Sequence, residues 1–255
     1  RAAICVALTP IRRQRKERGR HRYLGACFLP FPPDVWRDEL KILTAKKLHA
    51  ILVLGVGSVA IVCGVVPAHA ECRKEPNAQC QAQKLDRLDW RNAKLDGIDF
   101  RDASLEFADF SGASLKGAIF RGANLQQARF AKADLANANF EGADLRWANL
   151  SNTNLVGAKL GKALMSKSDL ESADLSHAVL VGADLTRAYL VSTDFEQADL
   201  QGAKLDGASM SFANLKQANL AGASVQRVRL NGARLKAARW IDGRLCASAT
   251  QGKCQ

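Results

Sequence analysis

From Leu85 to Leu245 every fifth residue is apolar, an unbroken series of 33 positions. The series holds 22 Leu and 6 Phe, with Met165, Met210, Trp90, Trp240 and Val225. Two residues before each stands a small residue, which is Ala in 25 of the 33 units. Gln83, Leu88, Ile98, Thr153, Ser168, Thr193, Val228 and Gly243 are the departures. Neither regular element carries this period. An α-helix turns about 100° per residue, so successive leucines would walk round it and leave no apolar stripe. A flat strand sends an odd spacing to alternate faces. Within a unit the spacing from the small residue to the large one is strand-like, so a turn must follow to bring the next pair back to the same interior. Short extended pieces joined by turns, all aiming Ala and Leu inward, predict an all-β solenoid.

The turn chemistry agrees. Two residues after the large apolar position stands Gly at 97, 112, 117, 122, 142, 157, 182, 202, 207, 222 and 232, and Asn at 92, 137 and 152. Both residues tolerate the positive φ of a type II turn. No proline occurs from Gln81 onward, so every backbone N–H is free to bond. Units such as Ala-Asp-Leu (133–135, 143–145, 173–175, 183–185) and Ala-Asn-Leu (123–125, 148–150, 213–215, 218–220) resemble those of the pentapeptide-repeat family. The resemblance runs from Gln81 to Leu245. It implies a right-handed quadrilateral β-helix with four pentapeptides per coil, hence about eight coils over residues 81–245. Residues twenty apart would then stack. Phe100, Phe120 and Phe140 are expected to form one interior ladder, and Trp90, Phe110 and Phe130 another opposite it.

The first seventy residues follow a different plan. Lys41, Lys46 and Lys47 precede a charge-free stretch from Ala50 to Val66, broken by Pro67 and followed by Ala68-His69-Ala70. That order reads as a signal peptide over 41–70, helical through its apolar part and cleaved after Ala70. An uncleaved membrane anchor through 50–66 is the alternative, although the run is short for a span of about 20 residues. Residues 1–40 read as an extension outside the mature protein. Their basic run from Arg12 to Arg22 is weighed as a nucleic-acid patch, but no nucleic-acid partner is expected. The formal charge of +12 is uneven: residues 1–70 carry 12 Lys/Arg against 4 Asp/Glu, so the mature part is only mildly basic.

Past the signal stand four cysteines, Cys72, Cys80, Cys246 and Cys254. Export would place them in an oxidising compartment. On the coil count that the resemblance implies, the two pairs lie at opposite ends of the solenoid. Only Cys72–Cys80 and Cys246–Cys254 could then close within one chain. Free thiols or a metal site are the alternatives, and the eight-residue spacings do not suit zinc. The bridges would cap the solenoid, in segments 71–80 and 246–255.

Catalytic chemistry is hard to assemble. His177 is the one histidine past the signal, so no Ser-His-Asp or Cys-His set is available. Asp residues recur one position before the large apolar residue, in phase with the repeat, where turn-edge carboxylates hydrogen-bond backbone. The expected protein is no enzyme and takes no metal or cofactor. Trp147, out of the repeat's polar pattern, is a candidate contact residue. So is a collar of Arg229, Arg234, Arg239 and Arg244, each one position before the large residue in successive units. An acidic band lies between Asp169 and Asp206, before this basic end.

The expected role is an exported, non-enzymatic scaffold or binding protein of the cell envelope, periplasmic or secreted. Its partner would be a protein or an anionic envelope component, with weak self-association between collar and acidic band. Membrane contact is expected only through the signal peptide. The resemblance also implies an alternative, a DNA-mimicking modulator of a gyrase-type topoisomerase. The export signal and the basic mature charge speak against it.

Overall fold

The computed structural model describes residues 51–55, 58–62, 72–247 and 254. The extension over 1–40 and the cleavage site at Ala70 lie outside the described residues, as do 248–253. The chain divides into two units, Arg1–His69 and Ala70–Gln255.

In the first unit the apolar stretch is not the expected helix. It contains strands β1 (Ile51–Gly55) and β2 (Ser58–Val62). They pair antiparallel, with Ile51 opposite Val62 and Gly55 opposite Ser58. The reason lies in composition: Ile51, Val53, Val59, Ile61 and Val62 are β-branched and favour extended backbone over helix. Among the described residues no helix is long and apolar enough to cross a membrane.

The second unit is a four-sided β-solenoid. Parallel bridges join residues twenty apart, in four interleaved series. Face 1 runs in eight such steps from Gln79 through Asp99 and on to Arg239. Face 2 runs from Lys84 to Ser224, face 3 from Asp89 to Arg229, and face 4 from Lys94 to Arg234. Each face contributes a two-residue extended piece per coil, and each corner is a turn.

One unit shows why five residues suffice. Leu135 N–H donates to the carbonyl of Asn154 in the next coil at 2.7 Å, and Asn137 N–H to that of Val156 at 2.9 Å. Ala138 N–H closes the turn onto Leu135 O at 3.0 Å, and Asn139 N–H reaches back to Ala118 O at 2.9 Å. The fifth donor, Ala136 N–H, points out of the ladder and is met by Oδ1 of Asp134 at 3.3 Å. Every backbone donor of the unit is satisfied, four by backbone and one by a side chain.

The corner residue has positive φ in every coil, whatever its type. Glycine supplies it at Gly117, but so do Phe107, Trp147, Lys167 and Phe212, at φ between 59° and 63°. A side chain there costs about 1–2 kcal/mol. The turn bond and the corner N–H bond to the next coil, Trp147 N–H to Ser166 O at 3.2 Å, hold the conformation nevertheless.

The interior is the Ala and Leu pair repeated. The large apolar positions from Leu95 to Leu220 are almost wholly buried. Phe100, Phe120 and Phe140 stack with centroids 5.2 and 4.8 Å apart, and Phe110 stacks on Phe130 at 5.2 Å. The two ladders meet edge to face, as between Phe120 and Phe130. Trp90 departs from the expectation by meeting Phe110 edge-on. Where Ala is replaced by Thr153, Ser168 or Thr193, the hydroxyl is buried and donates to Leu150 O, Met165 O and Leu170 O.

The inward series ends at Trp240, one unit earlier than expected. Gly243, at φ +83°, turns the chain back, and Leu245 pairs antiparallel with Arg239. Leu245 is therefore exposed, while Cys246 enters the core and exchanges backbone bonds with Ala237 and Ala238. Cys72 is bridged to Cys80, and Cys246 to Cys254, each pair with Cα atoms 4.8 Å apart.

Candidate contact surface

Most turn-edge carboxylates are already occupied. Asp99, Asp109, Asp144, Asp169, Asp174, Asp184, Asp194 and Asp199 each accept the N–H two residues on, as Asp134 does. Asn takes the same role at 124, 139, 149 and 154. A second arrangement recurs at corners. Asp86, Asp96 and Asp206 each accept a Ser hydroxyl and a backbone N–H from the next coil. The Ser224 hydroxyl and the Gln226 N–H hold the Asp206 carboxyl below its usual range. Among the described residues no group of His, Cys, Asp and Glu is placed to hold a metal ion.

Arginine breaks this pattern at the C-terminal end. Arg229, Arg234 and Arg239 occupy the capping position on faces 3, 4 and 1. Arginine has no acceptor, so it cannot meet the outward N–H that an Asp would meet. Among the described residues no carboxylate pairs with Arg229 or Arg234, and Arg239 donates to Gly243 O at 3.2 Å. Exposed Arg227 and Lys236 reinforce the three.

Arg244 does not join this collar. The chain reversal removes it from face 2, and its guanidinium pairs with Asp242 at 2.6 Å. That hydrogen bond raises the Arg244 pKa and holds the Asp242 carboxyl below its usual range. The signal was present in the sequence: Gly243 stands where the repeat wants Ala inside, and a glycine there marks the end of the coil.

Trp147 lies on the corner between faces 2 and 3 and is 54% exposed. The ammonium of Lys167, one coil on, lies 3.9 Å from the centroid of its ring, a cation–π contact. Arg87 sits over Phe107 in the same column, at 5.5 Å. Reading down this corner gives Arg87, Phe107, Gln127, Trp147, Lys167, Arg187, Gly207 and Arg227, without one carboxylate. The sequence expectation kept Trp147 apart from the arginines; a period of twenty places Trp147, Arg187 and Arg227 on one edge. A cavity of about 480 Å³ opens on this edge beside Arg187, Gly207 and Arg227. Another of similar volume lies beside Gly142 and Gly161, lined by Arg121, Glu141, Lys162, Val179 and Val181.

Two family models match the chain. A pentapeptide repeat region covers residues 83–160, and pentapeptide repeats in eight copies cover 168–207 and 198–236. No curated protein matches the chain. Among solved structures, HetL, a pentapeptide repeat protein involved in heterocyst differentiation regulation in the cyanobacterium Nostoc sp. strain PCC 7120, is 28% identical. The match covers 71% of this chain and 97% of HetL, with a TM-score of 0.25. QnrB1, a plasmid-mediated fluoroquinolone resistance protein, is 18% identical over 63% of this chain and 83% of its own, with a TM-score of 0.44. A pentapeptide repeat protein from the cyanobacterium Cyanothece 51142 is 18% identical over 61% and 85%, with a TM-score of 0.22. With the five-residue units, the twenty-residue bridges and both family models in agreement, the chain belongs to the pentapeptide-repeat family.

Proposed function

We propose that this chain is an exported, non-enzymatic scaffold or binding protein of the cell envelope, whose basic C-terminal end docks on an anionic envelope surface. One observation carries the reading. At three successive turn edges the solenoid gives up its capping carboxylate for Arg229, Arg234 and Arg239, none of which has a carboxylate partner among the described residues. Uncapped turns and clustered like charge are both unfavourable locally, so the arrangement is best supported by an outside counter-charge. The order of charge, apolar run, Pro67 and Ala68-His69-Ala70 supports export, as do two cystines that an oxidising compartment would keep. The topoisomerase-mimic alternative asks for an acidic surface, and this basic end runs against it.

Two measurements test the reading. The exported form is expected to begin at Glu71-Cys72 on N-terminal sequencing. A full-length product retained in the membrane would point to an anchor instead. The purified protein is expected to bind vesicles containing phosphatidylglycerol at low salt and to release them as salt rises, because exposed charges are screened beyond about 8 Å at physiological ionic strength. The variant R229Q/R234Q/R239Q should lose that binding with an almost unchanged Tm. Binding that ignores salt, or that the triple variant keeps, overturns the collar.

A further inference from the structure

Gly207 interrupts the cationic corner, with Arg187 one coil before it and Arg227 one coil after. A Cβ on Gly207 would lie 3.3 Å from Cγ of Arg187, so the Arg187 stem leans across the glycine. The missing side chain opens the cavity of about 480 Å³ lined by Arg187, Tyr189, Gly207, Ser209, Arg227 and Arg229. Three arginines, a tyrosine and a serine therefore line one cavity. No carboxylate lines it. Asp206 adjoins Gly207, but its Oδ1 is held towards face 2 by Ser224 Oγ at 2.6 Å and Gln226 N–H at 2.7 Å. Asp169, bridged to Tyr189 on face 3, accepts Glu171 N–H at 3.0 Å. Among the described residues none of the three guanidiniums meets a carboxylate.

Such a lining presents up to five donors per guanidinium and no acceptor carboxylate to meet them. The planar fork of arginine matches tetrahedral oxyanions in pairs of bonds, and hydroxyls complete the set. A single negative charge would leave most of this positive charge unmet, whereas a dianion answers it. We propose that the cavity over Gly207 binds a phosphate monoester, with Arg187, Arg227 and Arg229 on its oxygens and Tyr189 and Ser209 donating beside them. The site does not depend on export, and it shares Arg229 and the reinforcing Arg227 with the collar.

The test uses the full oxidised chain. Methyl phosphate is expected to shift the backbone amide resonances of Ala188, Gly207 and Arg227 saturably. R187Q/R227Q should weaken binding by at least about tenfold. Gly207→Asn should do the same by filling the gap, since Asn holds positive φ at the equivalent corner positions 137 and 152. R234Q/R239Q, which removes two of the three collar arginines and spares the cavity, should bind methyl phosphate as the parent does. A second arm compares vesicles of phosphatidic acid, a monoester, with phosphatidylglycerol, a diester, at equal surface charge. Preference for phosphatidic acid that R187Q/R227Q abolishes assigns the phosphate to a lipid headgroup, and response to methyl phosphate alone assigns it to a soluble ligand. No response to methyl phosphate together with equal binding of the two vesicle types, or an equal loss in R234Q/R239Q, overturns the site while leaving the collar reading standing.

Discussion

Leu135 and Asp134 are neighbours in sequence with opposite surroundings. Leu135 is fully buried among other inward side chains. Asp134 stands at the turn edge, where it caps Ala136 N–H, accepts Asn154 Nδ2 at 3.1 Å and pairs with Lys116 at 3.1 Å. Leu135→Asp puts a charge into a dry core without a partner and should cost several kcal/mol. Asp134→Ala is milder but not silent: it frees one backbone donor and one amide, a loss of about 1 kcal/mol. Denaturant unfolding of the two variants checks the order. Equal midpoints would mean that the inward phase is misassigned. The same logic explains why Asp and Asn dominate the turn edge. Their short side chains reach an N–H that the coil-to-coil ladder cannot.

At the scale of one coil, the five-residue period shows in the sequence because inward positions tolerate so little: small residue, then large apolar residue, with no room for exchange. The corner conformation was only half legible. Gly and Asn mark it, but the backbone bonds on either side impose positive φ on Phe107 and Trp147 as well. The cationic edge was hidden for another reason. Arg187, Gly207 and Arg227 are twenty residues apart, and no local pattern links them. The reversal after Trp240 was missed because Leu245 keeps the period that the backbone has already abandoned. The hairpin of β1 and β2 was missed because a charge-free run of β-branched residues suits helix or strand on periodicity alone. The N-terminal coils carry a testable electrostatic feature. The Arg91 side chain and backbone hydrogen bonds hold the Asp89 carboxyl down at about 2, from an ordinary 3.8. Burial works against the Asp99 carboxylate, yet the Arg101 side-chain and backbone bonds and the Gln81 bond prevail, and its pKa is also lowered. Groups lowered in the folded state contribute stability that is fully present above their unfolded pKa and lost as pH falls through the folded one. The N-terminal coils should therefore hold at pH 5 and weaken from about 3.8 down to about 2. Carboxyl NMR titration should give Asp89 a midpoint near 2, and Asp99→Asn should flatten the fall of Tm at acid pH. A midpoint near 3.8 would remove the Arg91 pairing from solution.

Across the whole solenoid each coil touches only its neighbours, so stability is close to a sum of coils and interfaces, and the weakest points are the ends. The end coils differ from the middle. Leu85 and Leu88 at one end, and Val225, Leu230 and Trp240 at the other, are only partly buried. The chain covers these ends differently. At the start, Cys80 occupies an inward slot and is fully buried, and its bridge to Cys72 ties down the segment before it. At the finish, the antiparallel return of Leu245 and Cys246 lies along Ala237–Arg239 and is held by a few backbone bonds and the bridge to Cys254. An open solenoid edge presents unpaired donors and an apolar face to other chains, so both devices also guard against end-to-end stacking. Each bridge closes a short loop and is worth roughly 2–3 kcal/mol. Reduction should therefore open the ends first and leave the middle coils protected. The return at the finish should go sooner, since Cys246 leaves the core as soon as its two backbone bonds to Ala237 and Ala238 break. Hydrogen exchange under reducing conditions should show Cys246 N–H exchanging fastest, Cys80 N–H next, and Leu135 N–H slowest, with concentration-dependent self-association appearing as the ends open. Uniform loss of protection along all coils would show that the solenoid unfolds as one cooperative block and that the bridges are not end caps.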